Sequence, residues 1–324
     1  MNTSPLYIAL TCDTVNDYFD ASLWRGEGVA PMQWRGVEEG IDAMVNSVSH
    51  MRDTQGDAPL FTWFPPVDNF MSEEYGDPAW ILTNFTDIWN AAIERGDEIG
   101  WHVYQHRRDG GQWYPESDSK AWREGLWACY ERLRSIGYTP RATRIGGTHC
   151  TNAIMKILED MKIAVDMTAL PGRVRRDGFL QLDWTRTPER PYRPSCTDYR
   201  VPGNPNVSVL EIPLSMVQVK ADYDVQPFRR YIDLSFYHDL LWPGLQSFLY
   251  DEPEYLVAIV HPSAVLADVS QQKHGLLSFQ IDEFKKNLCS ILDYCERSQR
   301  PCKFVTATQL EKILLLKGNS HNGH

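Results

Sequence analysis

The run Asp97-Glu98-Ile99-Gly100-Trp101-His102-Val103-Tyr104-Gln105-His106 comes just after a helix-like stretch that closes at Arg95-Gly96. Its opening residues read as a short buried strand, predicted over 98–101, of the kind that alternates with helices in α/β proteins. Its closing residues carry two histidines four apart. If that part of the chain turns helically, both imidazoles point at one spot, which is a common way to hold zinc or a similar divalent ion.

The same alternation continues on both sides. Further strands are predicted over 6–12, 60–64, 142–145, 164–167, 209–212, 255–261 and 303–305, with helices over 37–52, 80–95, 119–136, 152–161, 228–249, 280–297 and 307–316. Several carry sensible ends: Thr151 or Asn152 opens one helix, Asp118 or Ser119 another, and Gly96 and Gly137 close two. Repeated βα units of this kind build a parallel sheet or barrel. We expect a single α/β domain over 1–316, interrupted near 170–208 by a stretch rich in Pro, Arg, Tyr and Gly without steady period, and a disordered tail over 317–324.

The formal charge of −11 argues against a duplex nucleic-acid or anionic-membrane partner, since phosphate contacts need clustered Lys and Arg. The basic pieces, Arg173-Val174-Arg175-Arg176 with Arg186 and Arg190, are short; they suit either a solvated face or a substrate phosphate. The partner expected is therefore a small molecule or a saccharide, for which 11 Trp and 15 Tyr would supply stacking faces. Seven scattered cysteines show neither metal-knuckle spacing nor the density of a disulfide framework. With no basic, apolar leader at Met1 and no long apolar segment, the chain is expected in the cytoplasm without a membrane span.

Chemistry-bearing residues fall at the ends of the predicted strands, where barrel active sites collect. The first strand ends in Thr11-Cys12-Asp13, with Asp17 shortly after. Another runs into His102 and His106, a third ends in Arg144-Ile145-Gly146, and Val260-His261-Pro262 ends a fourth. Taken singly, each has a plainer use. Asp13 or Asp17 suits a turn, Arg144 a surface ion pair, and His261 a satisfied core position.

In this order the motifs resemble those of the polysaccharide deacetylase family, carbohydrate esterase family four. The likeness extends to Met161-Lys162-Ile163-Ala164-Val165-Asp166, Pro191-Tyr192-Arg193-Pro194-Ser195 and Glu211-Ile212-Pro213. Two departures stand out: Thr14-Val15-Asn16 separates Asp13 from Asp17, and Gly146 replaces the proline of the third motif. The resemblance implies a distorted (β/α) barrel in which Asp17, His102 and His106 hold a divalent ion, zinc in the first instance. The reaction implied is hydrolysis of the N-acetyl group of an acetamido sugar or a sugar-containing intermediate. Such an ion would polarise the amide carbonyl and lower the pKa of a bound water. Asp13 would take the proton of that water, His261 would protonate the departing amine, and Arg144 would keep Asp13 ionised. The altered first motif also admits a cyclic amide or ureide hydrolase on the same fold, or a carbohydrate-binding protein without turnover.

Overall fold

The computed structural model describes residues 4–17, 33–109, 112–176, 181–267 and 275–321. Its organising element is strand β1 (Leu6–Asp13), whose side chains are buried on both faces except at Tyr7, so its apolar run shows no alternation. This is the signature of a parallel strand covered on both sides. One edge of β1 pairs in parallel with β14 (Tyr255–Val260), register Tyr7 to Tyr255 through Cys12 to Val260. The other edge is shared. Its start pairs with β15 (Cys302–Phe304) and its end with β2 (Phe61–Phe64), Asp13 lying opposite Phe64.

Beyond β2 the chain makes the bend on which the barrel turns. Strand β3 (Glu98–Ile99) pairs with β2, whereas β4 (Trp101–Val103) leaves that sheet to pair with β7 (Ala142–Ile145), setting His102 opposite Arg144. Gly100 permits the bend, because a Cβ there would lie 2.6 Å from a ring carbon of Phe64. Parallel pairing continues through β8 (Val165–Asp166) to β11 (Leu210–Glu211). The circuit returns to β14 where the Ser215 amide donates to the Val257 carbonyl (3.2 Å) and the Val257 amide donates to Ser215 Oγ (3.0 Å). The α/β class and the distorted-barrel architecture read from the sequence are thus found.

Helices clothe this ring: α1 (Ile41–Val48) after a π-helical turn at Gly36–Gly40, α2 (Asn69–Tyr75), α3 (Trp80–Asn84), α4 (Thr86–Arg95), α5 (Ser119–Ser135), α6 (Asn152–Asp160), α7 (His238–Tyr250), α8 (Ile281–Arg297) and α9 (Ala307–His321). Asp118 and Thr151 cap α5 and α6 through their side chains, and left-handed Gly96 ends α4, as their sequence positions required. None of these helices is long and apolar enough to cross a membrane.

Three expectations need correction. The stretch 80–95 is broken at Phe85 into α3 and α4. The stretch 228–249 is helical only from His238. Its first residues form β13 (Phe228–Tyr231), antiparallel to β12 (Met216–Val219), because the neighbouring strand supplies the backbone partners that a helix would otherwise provide. The histidine segment does not turn helically: His102 lies in β4 and His106 opens β5 (His106–Asp109), which forms a hairpin with β6 (Gln112–Pro115).

The excursion over 170–208, of which 177–180 lie outside the described residues, contains a small hairpin of β9 (Val174–Arg176) and β10 (Gln181–Asp183). Acidic neighbours occupy much of its basic character. Arg200 bridges Asp183 and Asp198 (2.7 and 2.8 Å), and Arg186 reaches Asp198 (2.7 Å). At the other end α9 runs through most of the expected tail to His321, and 322–324 lie outside the described residues.

The junction of β2 and β3 hangs on Asp97, whose buried carboxylate accepts from the Phe61 amide (3.1 Å) and the Trp63 indole (2.7 Å) and pairs with Arg95. Asp97→Ala leaves the amide and the indole N–H unsatisfied and is expected to lower unfolding free energy by about 2–4 kcal/mol in urea denaturation. A change within experimental error would show that this carboxylate does not hold the junction.

Candidate active site

Arg144 is the hub. Its guanidinium leaves β7 and crosses the barrel interior to β1, where Nη1 donates to Asp13 Oδ1 (2.8 Å) and Nη2 donates to Thr11 Oγ1 (2.9 Å). Nε donates to the Met167 carbonyl (3.0 Å), and the charge lies 4.8 Å from the centre of the Phe64 ring. At 2% exposure this is a buried pair with each of the three guanidinium nitrogens donating a hydrogen bond, not the surface ion pair that the sequence also allowed. The second oxygen of Asp13 faces His102, with Oδ2 and Nε2 4.0 Å apart. On the next strand His261 follows β14 directly, and its Nδ1 lies 3.5 Å from Asp233 Oδ2. Asp233 is itself fixed by the Ser235 amide (2.9 Å) and hydroxyl (2.6 Å), both donating to Oδ1.

These surroundings drive the charge states apart. Burial pushes the Asp13 carboxyl up, but Arg144, His102 and His261 outweigh it and leave the group below its ordinary range, so it is ionised. Burial would lower His261, yet the nearby Asp233 carboxylate, with Asp13 behind, holds it above the usual 6.5. His102 goes the other way: burial takes it down to about 4 despite Asp13, so it is neutral near pH 7. The site therefore sets an ionised carboxylate and an imidazole that holds its proton more tightly than usual at the ends of adjacent strands.

His106 sits apart from this pair chemistry. Asn69 clamps its backbone on both sides, the Asn69 amide donating to the His106 carbonyl (2.6 Å) and the His106 amide donating to Asn69 Oδ1 (3.0 Å). The imidazole stacks on Tyr104, ring centres 3.9 Å apart and 5° from parallel, and meets Trp113 edge-on and Phe70 obliquely. Burial, with a smaller contribution from His102, takes its pKa down to about 3. Tyr104 also lies 6.1 Å from His102, ring centre to ring centre. The ring has room because residue 146 is glycine: a Cβ there would come within 1.7 Å of a Tyr104 ring carbon and 2.8 Å of His102 Cε1.

Asp17 is engaged elsewhere. Its two oxygens accept from the backbone amides of Gly36 (2.7 Å) and Arg35 (3.0 Å), so it caps the helical turn that follows. The donors expected to share one ion thus fall into three environments: Asp17 on amides, His106 among aromatic rings, and His102 beside Asp13. No group of three or more His, Cys, Asp or Glu among the described residues is arranged to hold a metal ion. As placed, these residues do not fit the three-donor set.

Asp13, Arg144, His102 and His261 are brought together. Asp233, a fifth member, went unread because 228–249 looked like one amphipathic helix; the Asp233-Leu234-Ser235 turn signal was the available clue.

Two outcomes follow. Gly146→Ala should lower stability by about 1–3 kcal/mol through the clash with Tyr104, and Tyr104→Ala in the same chain should recover most of it, measured by chemical denaturation. The two buried neutral histidines bind protons in the unfolded chain below about pH 6.5 but in the folded chain only near 4 and 3. Stability should therefore fall as pH drops from about 6.5 to 4. His106→Gln should flatten that slope in denaturation curves taken across the window.

No family model matches the chain, and no curated protein matches it. Solved structures do. A candidate polysaccharide deacetylase from Mycobacterium smegmatis aligns over 98% of this chain and 92% of its own at 13% identity, with a TM-score of 0.57. A peptidoglycan deacetylase from Bacillus subtilis aligns over 99% and 96% at 10% identity and TM-score 0.42. A family 4 pseudoenzyme from Bacillus anthracis aligns over 96% and 66% at 12% identity and TM-score 0.43. The last two likenesses are too distant to argue from. The first covers nearly the whole of both chains, and on it this chain has the fold of the polysaccharide deacetylases that its motifs resemble.

Proposed function

We propose that the chain is a hydrolase that removes the N-acetyl group of an acetamido sugar or of an intermediate containing one. The observation that carries this reading is the placement of Asp13 and His261 at the ends of adjacent parallel strands, the carboxylate paired with Arg144 and the imidazole 3.5 Å from Asp233. Amide hydrolysis needs both: a base to take a proton from water as it attacks, and an acid to give one to the departing nitrogen. Arg144 holds Asp13 ionised and oriented; Asp233 does the corresponding service for His261. The fold likeness and the order of the motifs support the same reaction class.

The resemblance would add a zinc ion on Asp17, His102 and His106, which when bound supplies an acidified water. Since those donors are dispersed, zinc enters this proposal as a separate question, answered by elemental analysis of the protein after zinc addition. A second reading, a carbohydrate-binding protein without turnover, is favoured by that same dispersal. Oligosaccharide binding in a titration without acetate release would select it.

For the hydrolase reading we expect acetate release from acetamido sugars. Asp13→Asn and His261→Gln should each lower kcat by about 10²–10⁴-fold. Because His261 acts as its protonated form, kcat should fall as pH rises through its elevated pKa, and His261→Gln should abolish that limb. A rate unchanged in both variants would sink the assignment.

A further inference from the structure

One layer beneath Arg144 lie two carboxyl groups to which the proposed reaction assigns nothing. Asp166 and Glu211 are register partners on the parallel strands β8 and β11, and both are fully buried. Their inner oxygens are committed. Asp166 Oδ1 accepts from the Thr143 hydroxyl (2.7 Å), and Glu211 Oε1 accepts from the amides of Thr168 (3.1 Å) and Ala169 (2.8 Å). Their outer oxygens, Asp166 Oδ2 and Glu211 Oε2, are buried and make no hydrogen bond with a placed donor.

Two carboxylates cannot both stay ionised side by side in a dry interior, where like charges repel strongly and neither is hydrated. Arg144 is the cation acting on Asp166. The other titratable groups facing the pair are Cys150, Tyr192 and Tyr255, all neutral near pH 7 because burial and the acid pair push them up. That cation is already paired with Asp13, so it can offset at most one further anion in part, and at least one carboxyl of the pair keeps its proton. The directions agree: burial raises both groups, Glu211 furthest, with Asp166 adding to the rise at Glu211.

The connection to the site runs through the backbone. Glu211 pins Thr168 and Ala169; the adjacent Met167 carbonyl receives Arg144 Nε, and Thr168 Oγ1 accepts from the Ile145 amide (2.8 Å). Thr143, on the other flank of Arg144, is held by Asp166. We propose that Asp166 and Glu211 are a positioning pair for Arg144: a carboxyl and a carboxylate joined by one proton across neighbouring strands, fixing both the strand that carries the guanidinium and the loop that receives it. The inference rests on the reading of Asp13 and Arg144 as working groups, but its test needs no turnover.

Infrared spectroscopy of the whole chain in D2O near neutral pH should show the C=O stretch of a protonated carboxyl, and that band should disappear in Glu211→Gln. Glu211→Gln, which keeps the acceptor for the two amides and donates N–H to Asp166, should leave the Asp13 titration, followed by carboxyl 13C NMR, where it is in the parent. Glu211→Ala should raise the Asp13 midpoint by about one pH unit as Arg144 loses its fixed seat. Should Glu211→Ala not fold, the infrared band and the Gln variant decide alone. A wild-type spectrum identical to that of Glu211→Gln, or an Asp13 midpoint displaced as far in Gln as in Ala, would overturn the proposal. If both hold while acetate release is never observed, the positioning pair stands and the reaction is wrong.

Discussion

The ion pair of Arg144 with Asp13 spans the barrel, and the rest of the site is arranged around its cost. A guanidinium taken out of water must find an anion and acceptors for its other N–H groups, or it destabilises the fold by several kcal/mol. Here the anion is the last residue of β1, and the acceptors are a threonine hydroxyl on that strand and a carbonyl beyond β8. The pair joins the two parallel sheets from the inside, while the bend at Gly100 and the Ser215 seam join them from the outside.

That requirement propagates outward. Asp13 must stay ionised to satisfy Arg144, and its charge adds to that of Asp233 in raising His261 on the next strand. His102, facing the same carboxylate from the other side, stays neutral because burial exceeds the attraction. Three titratable groups within one buried space are therefore driven apart, Asp13 and His102 downward and His261 upward. In the proposed reaction, which of them serves as base and which as acid is set by these neighbours and not by residue type.

Asp13 and His261 were legible because each ends a largely apolar run, Leu6 to Cys12 and Leu256 to Val260, whereas Arg144 sits inside a short strand and was legible from the Arg144-Ile145-Gly146 motif. Taken singly each had a plainer use, and only their order along the chain pointed to a site. The four-residue spacing of His102 and His106 was less informative, since helix and strand both return a side chain to roughly the same face at that interval, and only the pairing of β4 with β7 decides between them. Asp166 and Glu211 were visible within apolar segments, but their partnership depends on the register of β8 against β11, which no local pattern carries. Asp233 was hidden by an apolar periodicity shared between a strand, a turn and a helix.

The seat of Tyr104 has a consequence for substitution. Because the ring occupies the volume where any side chain at position 146 would begin, the two positions cannot drift independently. A side chain added at 146 costs stability while the tyrosine stays and little once a smaller residue stands at 104, so the effect of a change at either position depends on which residue the other carries.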